Sequence, residues 1–156
     1  MINICVIDDD NTGADILKSV FAGTDGVEIS DNFRESADII VYLSGRKAEI
    51  RNIRPKSVVI FSDNRLVKTD VEISAVICGL YEKSTVTASS IDISENTLNF
   101  VYCMQRSLVT LSGETVDIGE INVQSEWMCL DKVLAAITAR IICRGAPDNN
   151  MYIKKL

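Results

Sequence analysis

The feature that most constrains this chain is a change of period at Gly79. Before it, short apolar runs alternate with helical spacing. After it, strand-like runs follow one another with only turns between them, until one long helical pattern closes the sequence. Residues 3–7 (NICVI), 27–30 (VEIS), 37–43 (ADIIVYL), 57–61 (SVVIF) and 75–78 (AVIC) have the length and composition of buried strands. Between the first two, Ala14, Ile16, Leu17, Val20 and Phe21 recur at helical spacing. Thr12 stands as the cap of that helix, with Asp15 in the capping-box position. Residues 46–53 predict a second, short helix stopped by Pro55. Strands and helices in alternation read as a parallel or mostly parallel sheet.

From residue 84 to residue 123 no helical period intervenes. Runs at 84–93, 98–104, 108–111 and 116–123 are separated by turn signals at 94–96 and 112–113, which predicts an antiparallel meander. Leu130, Val133, Leu134, Ile137 and Ile141 then mark a helix over 126–144. Ser125 is its expected N-cap, Arg140 and Arg144 suit its negative end, and Gly145 with Pro147 stops it. A chain of 156 residues fits one domain with a sizeable core. The expectation is therefore a single α/β domain over 1–156. It is a three-layer, Rossmann-like, mostly parallel sheet, extended by an antiparallel meander and closed by a C-terminal amphipathic helix.

Composition removes several chemistries. The chain has no histidine, so Ser-His-Asp and Cys-His nucleophile systems are excluded. A net charge of -6 disfavours nonspecific binding to nucleic acid or anionic lipid. Cys5, Cys78, Cys103, Cys129 and Cys143 are odd in number, widely spaced and free of any CxxC pair. That pattern predicts reduced, mostly buried thiols in a cytoplasm and no zinc site. No apolar run reaches bilayer-spanning length and Met1 leads into no signal peptide, so neither membrane nor export is expected.

Three groups of residues can carry function. Asp8, Asp9 and Asp10 end the first strand, where an open α/β sheet places ligands. Paired aspartates there are similar to the magnesium pocket of response-regulator receivers, although Leu43 stands where the phosphoacceptor should close the third run. The same segment fails as a calcium loop, because its twelfth position is Ser19. Strand-end and helix-start charges are the plainer account of the trio. Arg46, Lys47, Arg51 and Arg54, with Lys56 nearby, form a basic cluster able to hold an anion or to lie as a solvated helix face. Tyr81, Trp127 and Met128 flank the meander and the helix start, and are the expected interface residues. Cys129 reads as a buried cysteine packing the helix start, and Lys132 as a solvated residue whose loss would be nearly silent.

Cys78-Gly79-Leu80, then the strand STVTASSI over 84–91, then LAAITA over 134–139 with Gly145, stand in an order that resembles the central domain of the Mur ligase family. Upstream, VVIFSDN over 58–64 resembles that family's strand and turn, so the likeness covers roughly 57–147. Those enzymes join amino acids to cell-wall precursors with ATP. The residues that match are scaffold. The family's histidine–asparagine pair falls on Met128 and Cys129, its second asparagine on Lys132, and its preceding glycine on Glu126. No GxxGK[ST] phosphate loop occurs. The resemblance implies a noncatalytic module with no cofactor and no ATP-dependent ligase activity of its own. It would bind a partner protein, a second copy or a cell-wall precursor in an accessory or regulatory role. The alternative is a small carboxylate-dependent enzyme or pseudo-receiver, using magnesium at Asp8, Asp9 and Asp10.

Overall fold

The computed structural model describes residues 1–32, 36–51, 58–62, 67–69, 73–117 and 119–156. Five parallel strands form the first sheet. They are β1 (Ile2–Ile7), β2 (Val27–Ser30) reached through helix α1 (Thr12–Val20), β3 (Ile39–Tyr42), β5 (Val58–Phe61) and β7 (Ser74–Ile77). Between the last three lie β4 (Ala48–Ile50) and β6 (Val67–Thr69), which pair with each other in parallel. The order in the large sheet is β2-β1-β3-β5-β7. Each expected apolar run before Gly79 thus becomes a strand of one parallel sheet.

Its inward side chains alternate as a strand requires. Ile4, Val6, Ile39, Val41 and Ile60 face the main core with α1, while Cys5, Ile40 and Tyr42 face a smaller cluster with Ile50. Among the described residues that second face is covered by β4 through Ile50 and Ala48, where a second helical layer was expected. The short helix expected over 46–53 is instead extended at Ala48–Ile50, because its backbone finds a ladder with Val67–Thr69. Pairing with a distant segment overrides the local helical period here.

The meander is also a sheet of its own. Strands β8 (Val86–Ser94), β9 (Thr97–Met104), β12 (Glu120–Ser125) and β13 (Asn150–Ile153) are ordered β13-β12-β9-β8. A small antiparallel ladder joins β10 (Leu108–Val109) to β11 (Thr115–Val116). The three-layer Rossmann-like reading is thereby corrected: strands predominate, the described residues hold two helices, and they divide among several sheets of mixed orientation. Among the described residues a single bridge, Cys78 to Val86, joins the meander to the first sheet, with Thr85 N–H donating to the Ile77 carbonyl at 2.8 Å.

Helix α2 (Leu130–Arg144) explains the division. It packs on α1, on β3 and β5 of the first sheet, and on β8 of the second. Val133 through Ala139, Ile141 and Ile142 are all buried. A helix apolar almost all round needs cover on more than one side, so the two sheets enclose it. The expected one-faced amphipathic helix is corrected accordingly. Gly145 ends it at φ 83°, as expected of a C-terminal glycine. Its N-terminus lies later than expected: Cys129 is the N-cap. Ser125 instead accepts Trp127 N–H at 3.0 Å and donates to the Trp127 carbonyl at 2.9 Å, which makes the turn before the helix. After Gly145 the chain returns as β13, parallel to β12, an element without an expectation. No described helix is long and apolar enough to cross a membrane.

Candidate functional site

The first sheet changes direction between β1 and β3. From β1 the chain leaves through α1 to β2 on one side, and β3, β5 and β7 add on the other. The carboxyl ends of two strands that diverge in this way leave a crevice, where open α/β sheets bind ligands. Asp8, Asp9 and Asp10 follow β1 into it, and Ser44, Gly45 and Arg46 follow β3. A cleft of 440 Å³ opens there, lined in part by Asp8, Asp9, Ser44, Arg46, Lys47 and Arg51. Asp8 and Asp9 of the acidic group thus share one cavity with Arg46, Lys47 and Arg51 of the basic group, and Asp10 does not line it. Arg54 lies outside the described residues.

The three carboxylates do different things. Asp8 is nearly buried, its side chain 4% exposed. Its Oδ2 accepts Gly13 N–H at 2.9 Å and the Lys132 ammonium at 2.8 Å, and its Oδ1 accepts Asp9 N–H at 2.8 Å. Asp10 Oδ1 accepts Thr12 N–H at 2.8 Å and Lys132 Nζ at 3.1 Å. Thr12 and Gly13 open α1, so both carboxylates hold first-turn amides that no helical carbonyl can satisfy. The expected cap at Thr12 is corrected: the N-cap is Asn11, without a side-chain bond, and the aspartates take over its work. Gly13 allows the approach. A Cβ there would sit 2.7 Å from Asp8 Oδ2 and 2.6 Å from Leu43 Cδ1.

Asp9 points the other way. Its Oδ1 accepts the Ser44 hydroxyl at 2.6 Å and its Oδ2 accepts Gly45 N–H at 3.2 Å. Ser44 in turn accepts Arg46 N–H at 3.2 Å, and the Tyr42 hydroxyl donates to the Arg46 carbonyl. The loop after β3 is fastened to the loop after β1 by these bonds. The Ser44 hydrogen bond, then Gly45 N–H, hold the Asp9 carboxyl below its ordinary value, with Arg46 and Lys132 helping. Donation from Thr12 and then Lys132 lowers Asp10 to about 2. Burial pulls Lys132 down, but its bonds and attraction to Asp8 and Asp10 outweigh this and leave its pKa raised. Both exposed aspartates and the lysine are therefore charged at neutral pH.

Lys132 is the residue that sequence reasoning misread. Rather than being solvated, it reaches from the first turn of α2 to neutralise Asp8 and Asp10, with its own side chain 16% exposed. It lies more than 120 residues from them, and no local spacing announces such a pair. Among the described residues no group of three or more carboxylate or cysteine side chains is arranged to hold a metal ion. Leu43, at the receiver's phosphoacceptor position, lies against the main core. Arg46 and Lys47 are exposed at the cleft, and Arg51 pairs with Glu49 at 3.2 Å.

The expected interface residues do not behave alike. Tyr81 is exposed, its ring over Gly79, and Met128 is 39% exposed. Trp127 is partly buried on the main core: its indole N–H donates to Ser19 Oγ at 3.0 Å and the Lys155 ammonium lies 4.9 Å from the ring centre. Cys129, expected buried, is exposed, whereas Cys78 is fully enclosed and burial pushes its thiol up to about 12. No known protein family model matches the chain, and no curated protein matches it significantly.

Proposed function

We propose that this chain is a noncatalytic binding module whose ligand seat is the cleft at the divergence of β1 and β3, and that the ligand presents an anionic group to Arg46 and Lys47. The observation that supports this is the occupancy of the aspartates. Asp8 and Asp10 are engaged by Lys132 and helix amides, and Asp9 by Ser44 and Gly45. A carboxyl group held below its ordinary value, as Asp9 and Asp10 are, is a poor general acid at neutral pH. What such a cluster does well is fix two loops and the exposed cations they carry. Lys132 also stands where a divalent cation would have to sit between Asp8 and Asp10, which disfavours the magnesium-dependent alternative. The cleft draws on residues 7–51, outside the stretch that resembles Mur ligases. The wall-precursor reading therefore rests on that resemblance alone, and an accessory role in wall synthesis stays part of the proposal only through it.

The test is a titration with inorganic phosphate and pyrophosphate, followed by the amide resonances of Ser44, Gly45 and Lys47. Saturable shifts at these amides, abolished in an Arg46→Glu/Lys47→Glu variant that remains folded, are expected. Shifts elsewhere, or shifts unchanged by charge reversal, would refute the cleft as the seat. A parallel thermal titration with magnesium separates the alternative: clear stabilisation that disappears in Asp9→Asn would favour the carboxylate-dependent enzyme.

A further inference from the structure

The second sheet turns one face to the core and leaves the other open. Along β12, Ile121, Val123 and Ser125 are buried, while Glu120, Asn122 and Gln124 are exposed. The strand register extends this outer face into rows. Val101, Asn122 and Asn150 lie side by side on β9, β12 and β13, and Asn99, Gln124 and Tyr152 form the next row. These six side chains cover about 10 Å across three strands and about 7 Å along them. A cleft of 470 Å³ lies over them.

Two properties of this grid point to a ligand class. It carries no formal charge, although 24% of the chain is charged; the charges stand at its edges, with Asp92 opposite Asn99, Glu120 opposite Cys103, Glu126 at the Tyr152 hydroxyl and Lys154 directly after β13. An anion would lose hydration there and meet more carboxylates than cations at the rim, with no cation in the grid itself. The side chains that fill it are four carboxamides and one phenol beside a valine. Each carboxamide offers two donors and an acceptor, which suits groups that are themselves donor and acceptor. Tyr152 supplies an exposed ring, 59% accessible, held at its tip by donation to Glu126 Oε1 at 3.1 Å. Asn122 is likewise set, its side-chain N–H reaching Asn150 Oδ1 at 3.4 Å.

We infer that this face binds a neutral polyhydroxylated ligand, a saccharide. The carboxamides exchange hydrogen bonds with its hydroxyl groups, and the Tyr152 ring packs on the apolar C–H face of a pyranose. The site lies on a different sheet from the anion cleft and does not depend on it.

The experiment is an NMR titration of the intact chain with glucose, N-acetylglucosamine, cellobiose and chitobiose, reading backbone amides and the side-chain NH2 signals of Asn and Gln. At least one of the four should bind with a Kd of about 1 mM or tighter. Its shifts should be confined to Asn99, Asn122, Gln124, Asn150 and their strand neighbours. Tyr152→Ala, at an exposed position, should keep the fold and weaken binding tenfold or more. Glucuronate should bind more weakly than glucose. No saturable shift with any of the four sugars overturns the inference. So do equal binding by Tyr152→Ala, glucuronate binding as tightly as glucose, or shifts of the same amides on raising protein concentration alone, which would mark the face as a contact between copies.

Discussion

Lys132 sets the terms at the scale of single residues. Its ammonium lies between a nearly buried carboxylate and an exposed one, so removing it leaves the Asp8 side chain held only by two backbone amides. Breaking one side of such a pair costs far more than the pair itself contributes, here about 3 kcal/mol for Lys132→Met given its slight exposure. Urea denaturation should show this loss, and the Asp8→Asn/Lys132→Met double variant should regain much of it. A near-silent Lys132→Met would mean that Asp8 is solvated in solution. Acidity tests the same cluster from its other side. Asp9 and Asp10 titrate below their ordinary value when folded, so they stabilise the fold when ionised. That stabilisation is complete above the ordinary aspartate value of 3.8 and declines below it, the Asp10 part being gone once pH has fallen through about 2. The urea midpoint should fall across this window, and the slope should flatten in Asp10→Asn. The raised Lys132 works at the alkaline end: its contribution is present below 10.5 and is lost as pH rises through its folded value.

At the scale of elements, α2 carries a polar cluster inside an apolar helix. Thr138 is fully buried, and its one hydroxyl proton goes to the Leu134 carbonyl at 2.8 Å. Tyr102 must then donate to Thr138 Oγ1, at 2.7 Å, and Cys78 adds a thiol at 3.3 Å. The hydroxyl is thereby saturated, and it ties α2 to β9 and to the end of β7. Thr138→Val keeps the shape but leaves the Tyr102 hydroxyl buried without an acceptor, at a cost of roughly 1–3 kcal/mol. Adding Tyr102→Phe should recover most of that loss in thermal denaturation. If the double variant is no better than the single one, packing rather than the hydrogen bond is at stake. Strand existence was legible because alternation and apolar runs are local: Ile4, Val41 and Ile60 sit in strands that their own neighbours announce. Residues 48–50 were not legible as a strand, because only the partner at 67–69 makes them one. Neither was β13, whose four residues are defined by β12. The carboxylates could be located from the end of β1. Ser44, Gly13 and Lys132 could not be joined to them, since that depends on where β3, α1 and α2 come to rest.

The whole molecule is joined through one core. The main cluster runs from Ile4, Val41 and Ile60 on the first sheet, through Leu134, Ile137 and Ile141 of α2, to Leu98, Phe100 and Ile121 on the second. Neither sheet can be uncovered without exposing α2, which is buried on both sides and would lose most of its stabilisation if either withdrew. The single bridge between the sheets contributes little by comparison, so the coupling lies in the shared helix and not in hydrogen bonds across the boundary. The chain should then unfold as one unit despite its divided sheets. Trp127, the one tryptophan, packs on this core beside α1 and reports the junction of α1 with the β12–α2 turn. Far-ultraviolet circular dichroism reports both sheets together. Under urea the two signals should trace a single coincident transition, and the calorimetric and van't Hoff enthalpies should agree. Separate midpoints, with the tryptophan signal lost ahead of the sheet signal, would show that the two sheets are energetically independent and that α2 belongs to only one of them.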